Sequence, residues 1–347
     1  MVAPGNPAVQ KLPDFKMTSA ESPTLVVRIE RWPIAGSFTI SRGAKTEAVT
    51  VVVEVSLAGH VGRGECVPYP RYGETAEATL KALQAMQEQV AHGLDRLTLQ
   101  AAMPPGAARN ALDCALIDLA AKSRGERVWD LLGQAEPQPC VTAYTISLAS
   151  PEAMAAATAQ ASHRPLLKIK LGGEGDGERI AAVRRAAPKS ELIVDANEAW
   201  TAANLEQNLQ ACARAGVTLV EQPLPAGRDE RLAQIKRPLT VCADESVHDR
   251  NSLDGLRERY DALNIKLDKT GGLTEALAMA DAAKALGFDI MVGCMVATSL
   301  SMAPAMLLTS QARFVDLDGP LLLARDREHG LRYDGSLVYP PDAALWG

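Results

Sequence analysis

The chain has 347 residues, of which 47% are hydrophobic and 22% charged, with a formal net charge of -6 at pH 7. This length suggests about two domains with large buried cores. The acidic balance, without long basic runs, argues against a nucleic-acid partner, and no apolar stretch reaches the ~18 residues of a membrane span. We therefore expect a globular protein that acts on small molecules, with no membrane partner.

Residues 1–23 contain four prolines and no apolar run long enough for a signal-peptide core. They are predicted to be a disordered leader, and the chain is predicted to be cytoplasmic. The six cysteines lack CxxC spacing, which indicates buried thiols in a reducing compartment.

Residues 24–135 are predicted to form an α+β capping domain, called the cap below. The alternating pattern from Leu25 onward is typical of three antiparallel strands. Helical periodicity follows over 74–93 and 107–125, and each of these segments ends in glycine. The proline-containing stretch 133–140 is the predicted domain boundary, and 320–347 is expected to return to the cap.

Residues 136–319 contain eight short apolar runs that end in a polar residue or glycine. The ends recur every 22 to 27 residues, at positions 145, 170, 195, 221, 244, 266, 293 and 316. That spacing fits a strand, a helix and two loops, and continuous apolar runs are typical of parallel strands buried on both faces. The pattern predicts a (β/α)8-type barrel, modified to (β/α)7β, beneath the cap.

Acidic residues end the third, fourth and fifth barrel strands: Asp195, Glu221 and Asp244. An Asp at a strand end is commonly a helix cap, so each residue alone favours that structural explanation. Three on successive strands should converge at the barrel mouth and repel unless a cation neutralises them. Oxygen ligands favour Mg²⁺, one per subunit, whereas zinc lacks suitable His or Cys ligands.

Lysines end the second and sixth strands, which face each other across an eight-stranded barrel. Lys170 and Lys266 therefore flank the acidic group as two potential bases. Lys168 shares a face with Lys170 and could lower its pKa, although a plain ion pair would also explain Lys168. A cation opposite two bases suits proton abstraction next to a carboxylate, with return of the proton to the other face.

The last strand ends in Asp316 and Asp318, which share a face opposite the acidic group. They predict a substrate with a cationic end, such as an ammonium. A turn-capping role before Gly319 and Pro320 is the structural alternative.

The ordered motifs KIK (168–170), VDAN (194–197), VEQP (220–223), ADES (243–246) and NIKLDKTGG (264–272) resemble the enolase superfamily, muconate-lactonizing subgroup. The cap segment RNALDCALIDLAAK (109–122) fits as well. Within the subgroup, DLDGP (316–320) and ECVPYPRYGE (65–74) are similar to dipeptide epimerases of peptidoglycan recycling.

This resemblance implies Mg²⁺-dependent epimerisation of alanyl-glutamate at the glutamate α-carbon, through a metal-stabilised enolate. Lys170 and Lys266 would act as acid and base, with Lys168 in electrostatic support, and Asp195, Glu221 and Asp244 would hold the metal. Asp316 and Asp318 would bind the alanine ammonium, Thr145 would line the pocket, and Arg42 would pair with the glutamate side chain. A solvated surface charge is the alternative for Arg42.

Several alternatives remain open from the sequence. The enzyme could act on another dipeptide, or catalyse N-succinylamino acid racemisation, o-succinylbenzoate synthesis or cycloisomerisation. An inactive barrel scaffold is the alternative that is not an enzyme. An assembly of identical subunits is compatible with the sequence but is not indicated by it.

Overall fold

The computed structural model describes residues 21–347, so nearly all of the predicted leader lies outside the described residues. The cap begins with an antiparallel sheet of three strands in the order β1-β2-β3, as the alternating pattern predicts. Its strands are β1 (Thr24–Ile40), β2 (Gly43–Leu57) and β3 (His60–Cys66).

The cap helices are α1 (Ala76–Gln84), α2 (Gln87–Ala91), α3 (Arg96–Ala102), α4 (Ala107–Arg124) and α5 (Val128–Leu131). The segment 74–93 is helical as predicted, but it is divided into α1 and α2 by a tight turn in which the Met86 amide bonds the Leu83 carbonyl. Helix α4 lies directly on β3. A Cβ at Gly62 or Gly64 would come within 2.2 Å or 2.0 Å of an α4 carbonyl oxygen, so only glycine allows this approach.

The barrel is a parallel sheet of eight strands in sequential order. Its strands are β5 (Tyr144–Ile146), β6 (Leu166–Lys170), β7 (Glu191–Asp195), β8 (Val217–Glu221), β9 (Thr240–Ala243), β10 (Ala262–Ile265), β11 (Asp289–Val292) and β12 (Phe314–Val315). The Ala143 amide donates to the Val315 carbonyl at 2.8 Å, which joins the last strand to the first. The modified (β/α)8 fold with an α+β cap is confirmed.

The outer helices are α6 (Pro151–Ala161), α7 (Asp176–Ala186), α8 (Leu205–Arg214), α9 (Leu267–Thr270), α10 (Leu273–Ala285) and α11 (Ser299–Ala305). The connections after β8 and β9 contain only the 3-10 turns Glu230–Gln234 and Arg250–Ser252. Pro223, Pro225 and Gly227 disfavour a longer helix in the first of these connections.

The C-terminal segment forms β13 (Tyr333–Asp334) and β14 (Leu337–Val338), and β14 pairs with β4 (Cys140–Val141) at the start of the barrel domain. It also reaches the cap, where the Ala324 amide bonds the Pro33 carbonyl at 2.8 Å and the Trp346 indole donates to the Cys114 carbonyl at 3.1 Å. The domain limits given above stay a prediction.

All six cysteines lie in the described part of the chain and are free, four of them buried. Within residues 21–347, no helix combines the length and apolarity needed to cross a membrane.

Candidate active site

The barrel register brings the predicted acidic and basic residues to one mouth. Lys170 pairs with Asp195 across β6 and β7, and Asp195 pairs with Glu221 across β7 and β8. Asp244 and Lys266 follow immediately after β9 and β10. These side chains are buried because parallel strands end beneath loops and the cap.

The carboxylates of Asp195, Glu221 and Asp244 form one compact group. One oxygen from each lies within 4.8 Å of the others, and the three residues are buried. Burial and the neighbouring Asp195 charge raise the pKa of Glu221 to about 7. Three oxygen donors that repel one another in a buried site fit a hard divalent cation such as Mg²⁺.

Lys170 and Lys266 contact the two outer carboxylates of this group. The ammonium nitrogen of Lys170 lies 2.7 Å from Asp195 Oδ2, and that of Lys266 lies 2.7 Å from Asp244 Oδ2. Burial acts to lower the pKa of Lys266, but the charges of Asp244 and Glu221, with Asp195, together outweigh burial and raise the pKa above its ordinary value. The acidic group thus lies between two lysines from opposite strands.

Lys168 is the cation at the centre of the site. Its Nζ lies 2.7 Å from both Glu221 Oε2 and Asp316 Oδ2, and 3.4 Å from Asp195 Oδ2. Burial opposes its charge, yet the Asp316 and Glu221 carboxylates raise the pKa of Lys168 well above its usual range. Lys168 is therefore a buried cation held by carboxylates from three strand ends.

Asp316 and Asp318 lie on the other side of Lys168, next to the first barrel strand. Asp318 Oδ2 accepts the Thr145 amide at 2.7 Å, and burial together with Asp316 raises the pKa of Asp318 to about 7. Among residues 21–347, the buried Oδ1 of Asp316 has no hydrogen-bond partner. An acceptor of this kind can bind a substrate donor.

Arg42 lies at the tip of the β1–β2 hairpin and contacts the barrel loops. Its Nη1 donates to the Asn197 carbonyl at 2.9 Å and lies 3.2 Å from Glu198 Oε2. Its Nη2 lies 2.8 Å from Glu245 Oε1 and donates to the Tyr69 hydroxyl at 3.0 Å. Arg42, which is predicted to bind a substrate carboxylate, is therefore already paired with the carboxylates of Glu198 and Glu245.

Two neighbours of the acidic group were not identified from the sequence. Lys269 Nζ donates to the Asp244 carbonyl at 2.6 Å and also contacts its carboxylate, while Asn264 Nδ2 donates to Glu221 Oε1 at 2.7 Å. A Cβ at Gly293 would lie 2.4 Å from Asn264 Oδ1, so this glycine makes room for the asparagine. The available signal for Asn264 was a polar residue inside the otherwise apolar strand Ala262–Ile265. Lys269 lies in the polar stretch 268–272, which also fits a solvated turn.

The cap supports the loop that follows Lys266. Arg109 on α4 donates to the Thr270 and Gly271 carbonyls at 2.7 and 3.0 Å. Asn110 donates to Asp268 Oδ1 at 2.8 Å, and the Val67 amide donates to the same oxygen at 3.0 Å. Through these contacts, the start of the cap segment 109–122 holds the barrel loop that follows Lys266.

Comparisons with known proteins agree with this geometry. Residues 152–344 match the enolase C-terminal domain-like family, and residues 22–133 match the mandelate racemase/muconate lactonizing enzyme N-terminal domain. The chain is 47% identical to the L-Ala-D/L-Glu epimerase of Escherichia coli (strain K12), over 89% of this chain and 97% of that protein. It is 45% identical to the N-acetyl-D-glutamate racemase of a Pseudoalteromonas species, over 86% of this chain and 95% of that protein.

A crystal structure from Agrobacterium tumefaciens has 57% identity and a TM-score of 0.92, and the match covers 94% of this chain and 100% of that chain. It is described as an enolase family member with homology to dipeptide epimerases, with bound sodium and L-Ala-L-Glu.

The fold and the matched domains show that this chain belongs to the mandelate racemase/muconate lactonizing enzyme family of the enolase superfamily. It is an isomerase of the racemase and epimerase type.

Proposed function

We propose that the enzyme epimerises L-Ala-D/L-Glu dipeptides at the glutamate α-carbon by proton transfer between Lys170 and Lys266. The observation that carries this proposal is the placement of the two lysines on opposite barrel strands, each 2.7 Å from an outer carboxylate of the acidic group. A planar carbanion between two such groups can lose a proton on one face and regain one on the other.

In this proposal, Asp195, Glu221 and Asp244 hold one Mg²⁺. The bound ion would supply positive charge that stabilises the substrate carboxylate as negative charge develops during proton removal. Lys168 contributes a further fixed cation beside Glu221, and Asn264 orients the same carboxylate through its hydrogen bond. The buried surroundings strengthen these electrostatic interactions because little water competes with them.

Asp316 and Asp318 would receive the ammonium of the alanine residue. Asp316 Oδ1, which has no hydrogen-bond partner in the described part of the chain, offers an acceptor, and a nearby ammonium would favour ionisation of Asp318. Thr145 would line the same subsite, because its backbone amide donates a hydrogen bond to Asp318. The substrate would thus extend from the acidic group to the last barrel strand, with its glutamate side chain beneath the cap.

Incubation with L-Ala-D-Glu and Mg²⁺ in deuterated water tests the proposal directly. We expect L-Ala-L-Glu to form, with deuterium at the glutamate α-carbon in both epimers. Absence of both product and exchange would refute it. A role in recycling peptidoglycan peptides in the cytoplasm is part of the same proposal, since such peptides contain this dipeptide.

Racemisation of an N-acylated glutamate is the second candidate, favoured by the 45% identity to the N-acetyl-D-glutamate racemase. That substrate has no ammonium for Asp316 and Asp318. The double variant Asp316→Asn with Asp318→Asn should therefore lose dipeptide turnover if the first proposal holds. Wild-type turnover of N-acetyl-D-glutamate but not of L-Ala-D-Glu would favour the second candidate.

A further inference from the structure

Gln222 follows Glu221 directly and joins the ends of all three strands that carry the acidic group. Its amide donates to the Cys242 carbonyl of β9 at 2.9 Å, and its carbonyl accepts the Glu198 amide, in the loop after β7, at 2.9 Å. The residue is fully buried, and its φ of 35° lies in the left-handed region that favours glycine. A strained residue at this place is retained only if its surroundings hold it, which indicates a functional role.

The side-chain amide of Gln222 reaches the backbone of the third acidic residue. Its Oε1 accepts the Asp244 amide at 2.8 Å and the Ser246 amide at 3.1 Å. Its Nε2 donates to the Leu224 carbonyl at 2.8 Å and lies 2.8 and 2.9 Å from the hydroxyl oxygens of Ser246 and Tyr260. Because the oxygen only accepts and the nitrogen only donates, one orientation of the amide satisfies both sides.

A buried carboxylate selects that orientation. Asp229, in the connection after β8, accepts the Tyr260 hydroxyl at 2.5 Å and the Ser246 hydroxyl at 2.6 Å, both on Oδ2, while Arg259 pairs with Oδ1. Since an ionised carboxylate accepts and does not donate, both hydroxyl protons point to Asp229 and leave lone pairs for a further donor. The nitrogen of the Gln222 amide therefore faces the hydroxyls, and its oxygen faces the end of β9.

We propose that Gln222 is a positioning residue that sets the spacing between Glu221 and Asp244, and that Asp229 fixes its orientation through the two hydroxyls. The inference rests on the proposed function, because this spacing matters for chemistry only where the acidic group holds Mg²⁺. Partners that orient the ligands of a metal change its affinity although they do not touch the ion.

The test measures Mg²⁺ affinity by titration calorimetry on the full chain, without dipeptide. Gln222→Met keeps the length of the side chain and removes its hydrogen bonds, and Asp229→Asn replaces the acceptor that directs the two hydroxyls. Asp261→Asn is the matched control, because Asp261 also pairs with an arginine, Arg237, but accepts the Val241 amide instead of the hydroxyls.

We expect Gln222→Met to weaken Mg²⁺ binding about ten- to a hundredfold, the usual effect of losing a partner that orients metal ligands. Asp229→Asn should weaken it about tenfold in the wild-type background and hardly at all in Gln222→Met, because Asp229 acts through that amide. Asp261→Asn removes the same charge and should bind Mg²⁺ like wild type. Equal effects of Asp229→Asn in both backgrounds would overturn the inference, and so would wild-type affinity in Gln222→Met.

Tyr260→Phe keeps the test decisive where Gln222→Met or Asp229→Asn does not fold, as judged by circular dichroism. It changes no charge and removes one hydroxyl between the two residues, so Mg²⁺ binding should weaken about fivefold, the size of one hydrogen bond. Tyr333→Phe, which removes a hydroxyl that donates to the Leu317 carbonyl at 2.7 Å, is its control. Equal Mg²⁺ affinities in the two tyrosine variants would contradict the proposed role.

Failure of the proposed function gives a different result, because the calorimetric comparison contains no dipeptide. A wild type that binds Mg²⁺ but turns over no L-Ala-D-Glu refutes the epimerase proposal alone, and the affinities of the variants still decide the role of Gln222. A wild type that does not bind Mg²⁺ overturns the inference itself.

Discussion

Lys168 Nζ lies 2.7 Å from Asp316 Oδ2 and joins the second barrel strand to the last one across the interior. The same ammonium lies 2.7 Å from Glu221 Oε2. One cation therefore contacts both the group proposed to bind metal and the pair proposed to bind the substrate ammonium. Both ligands have to bind in the presence of this fixed charge.

Lys168→Met should bind Mg²⁺ more tightly than wild type while losing turnover. At an effective dielectric constant of 20, two unit charges 4 Å apart interact by about 4 kcal/mol, so even partial relief should raise the affinity about tenfold. Titration calorimetry measures it. Lys122→Met, which removes an ammonium from Asp118 on α4, should leave Mg²⁺ affinity unchanged. Weaker binding to Lys168→Met would contradict the expectation.

Lys170→Ala and Lys266→Ala should each lower the rate of net epimerisation by about 10² to 10⁴-fold, since each removes one partner in proton transfer. Each variant should retain deuterium exchange from one epimer only, and the two variants should retain opposite epimers. Proton NMR in deuterated water follows the glutamate α-proton, with the alanine α-proton as an internal control. Normal epimerisation in either variant would exclude a two-lysine mechanism.

Glu198→Gln should loosen the hairpin tip and the 70–73 turn. The Glu198 carboxylate accepts hydrogen bonds from both Nε and Nη2 of Arg71 at 2.7 Å and also pairs with Arg42. One barrel carboxylate therefore binds two loops of the cap. We expect faster amide hydrogen exchange in these loops and a higher KM, with a smaller change in kcat. Glu206→Gln, which removes the exposed ion pair with Arg231, is the control. Equal exchange rates in the two variants would argue against this role.

Asp268→Asn should alter the pH dependence of stability. Burial raises the pKa of Asp268 to about 7, above the unfolded value of 3.8. As pH rises from about 4 to 7, the unfolded state loses this proton first, so the folded protein loses up to about 1.4 kcal/mol of stability per pH unit. Asparagine can retain both hydrogen bonds to Oδ1 and carries no charge.

Urea unfolding at pH 5 and pH 8 measures this effect. Wild type should lose more stability than Asp268→Asn between the two values. Asp281→Asn, at an exposed position on α10, should follow wild type. Parallel curves for wild type and Asp268→Asn would show that the Asp268 carboxyl does not cause the change.

The barrel could be predicted because its strands are apolar runs that end abruptly in a charged residue, as at Lys170, Asp195 and Glu221. The turn that separates α1 from α2 could not, since no glycine or proline marks it. Lys269 is brought back onto Asp244 by the one-turn helix α9, a contact that periodicity does not encode.

The contacts of Arg42 also could not be predicted from local sequence patterns. Glu198 and Glu245 lie more than 150 positions away in the chain, and only the packing of the cap on the barrel brings them together. The sequence indicated a charged cap loop but did not show which of its cations was already neutralised.

The β1–β2 hairpin reaches the mouth from a different domain than the strand ends that carry the proton-transfer lysines. In the proposed function the glutamate side chain lies beneath the cap, so side-chain preference and proton transfer would be encoded in separate parts of the gene. A mutant library restricted to codons 38–45 would vary which dipeptides are accepted, while every clone keeps the lysines and acidic residues of the barrel. Deuterium incorporation could then serve as one common screen for all of its members.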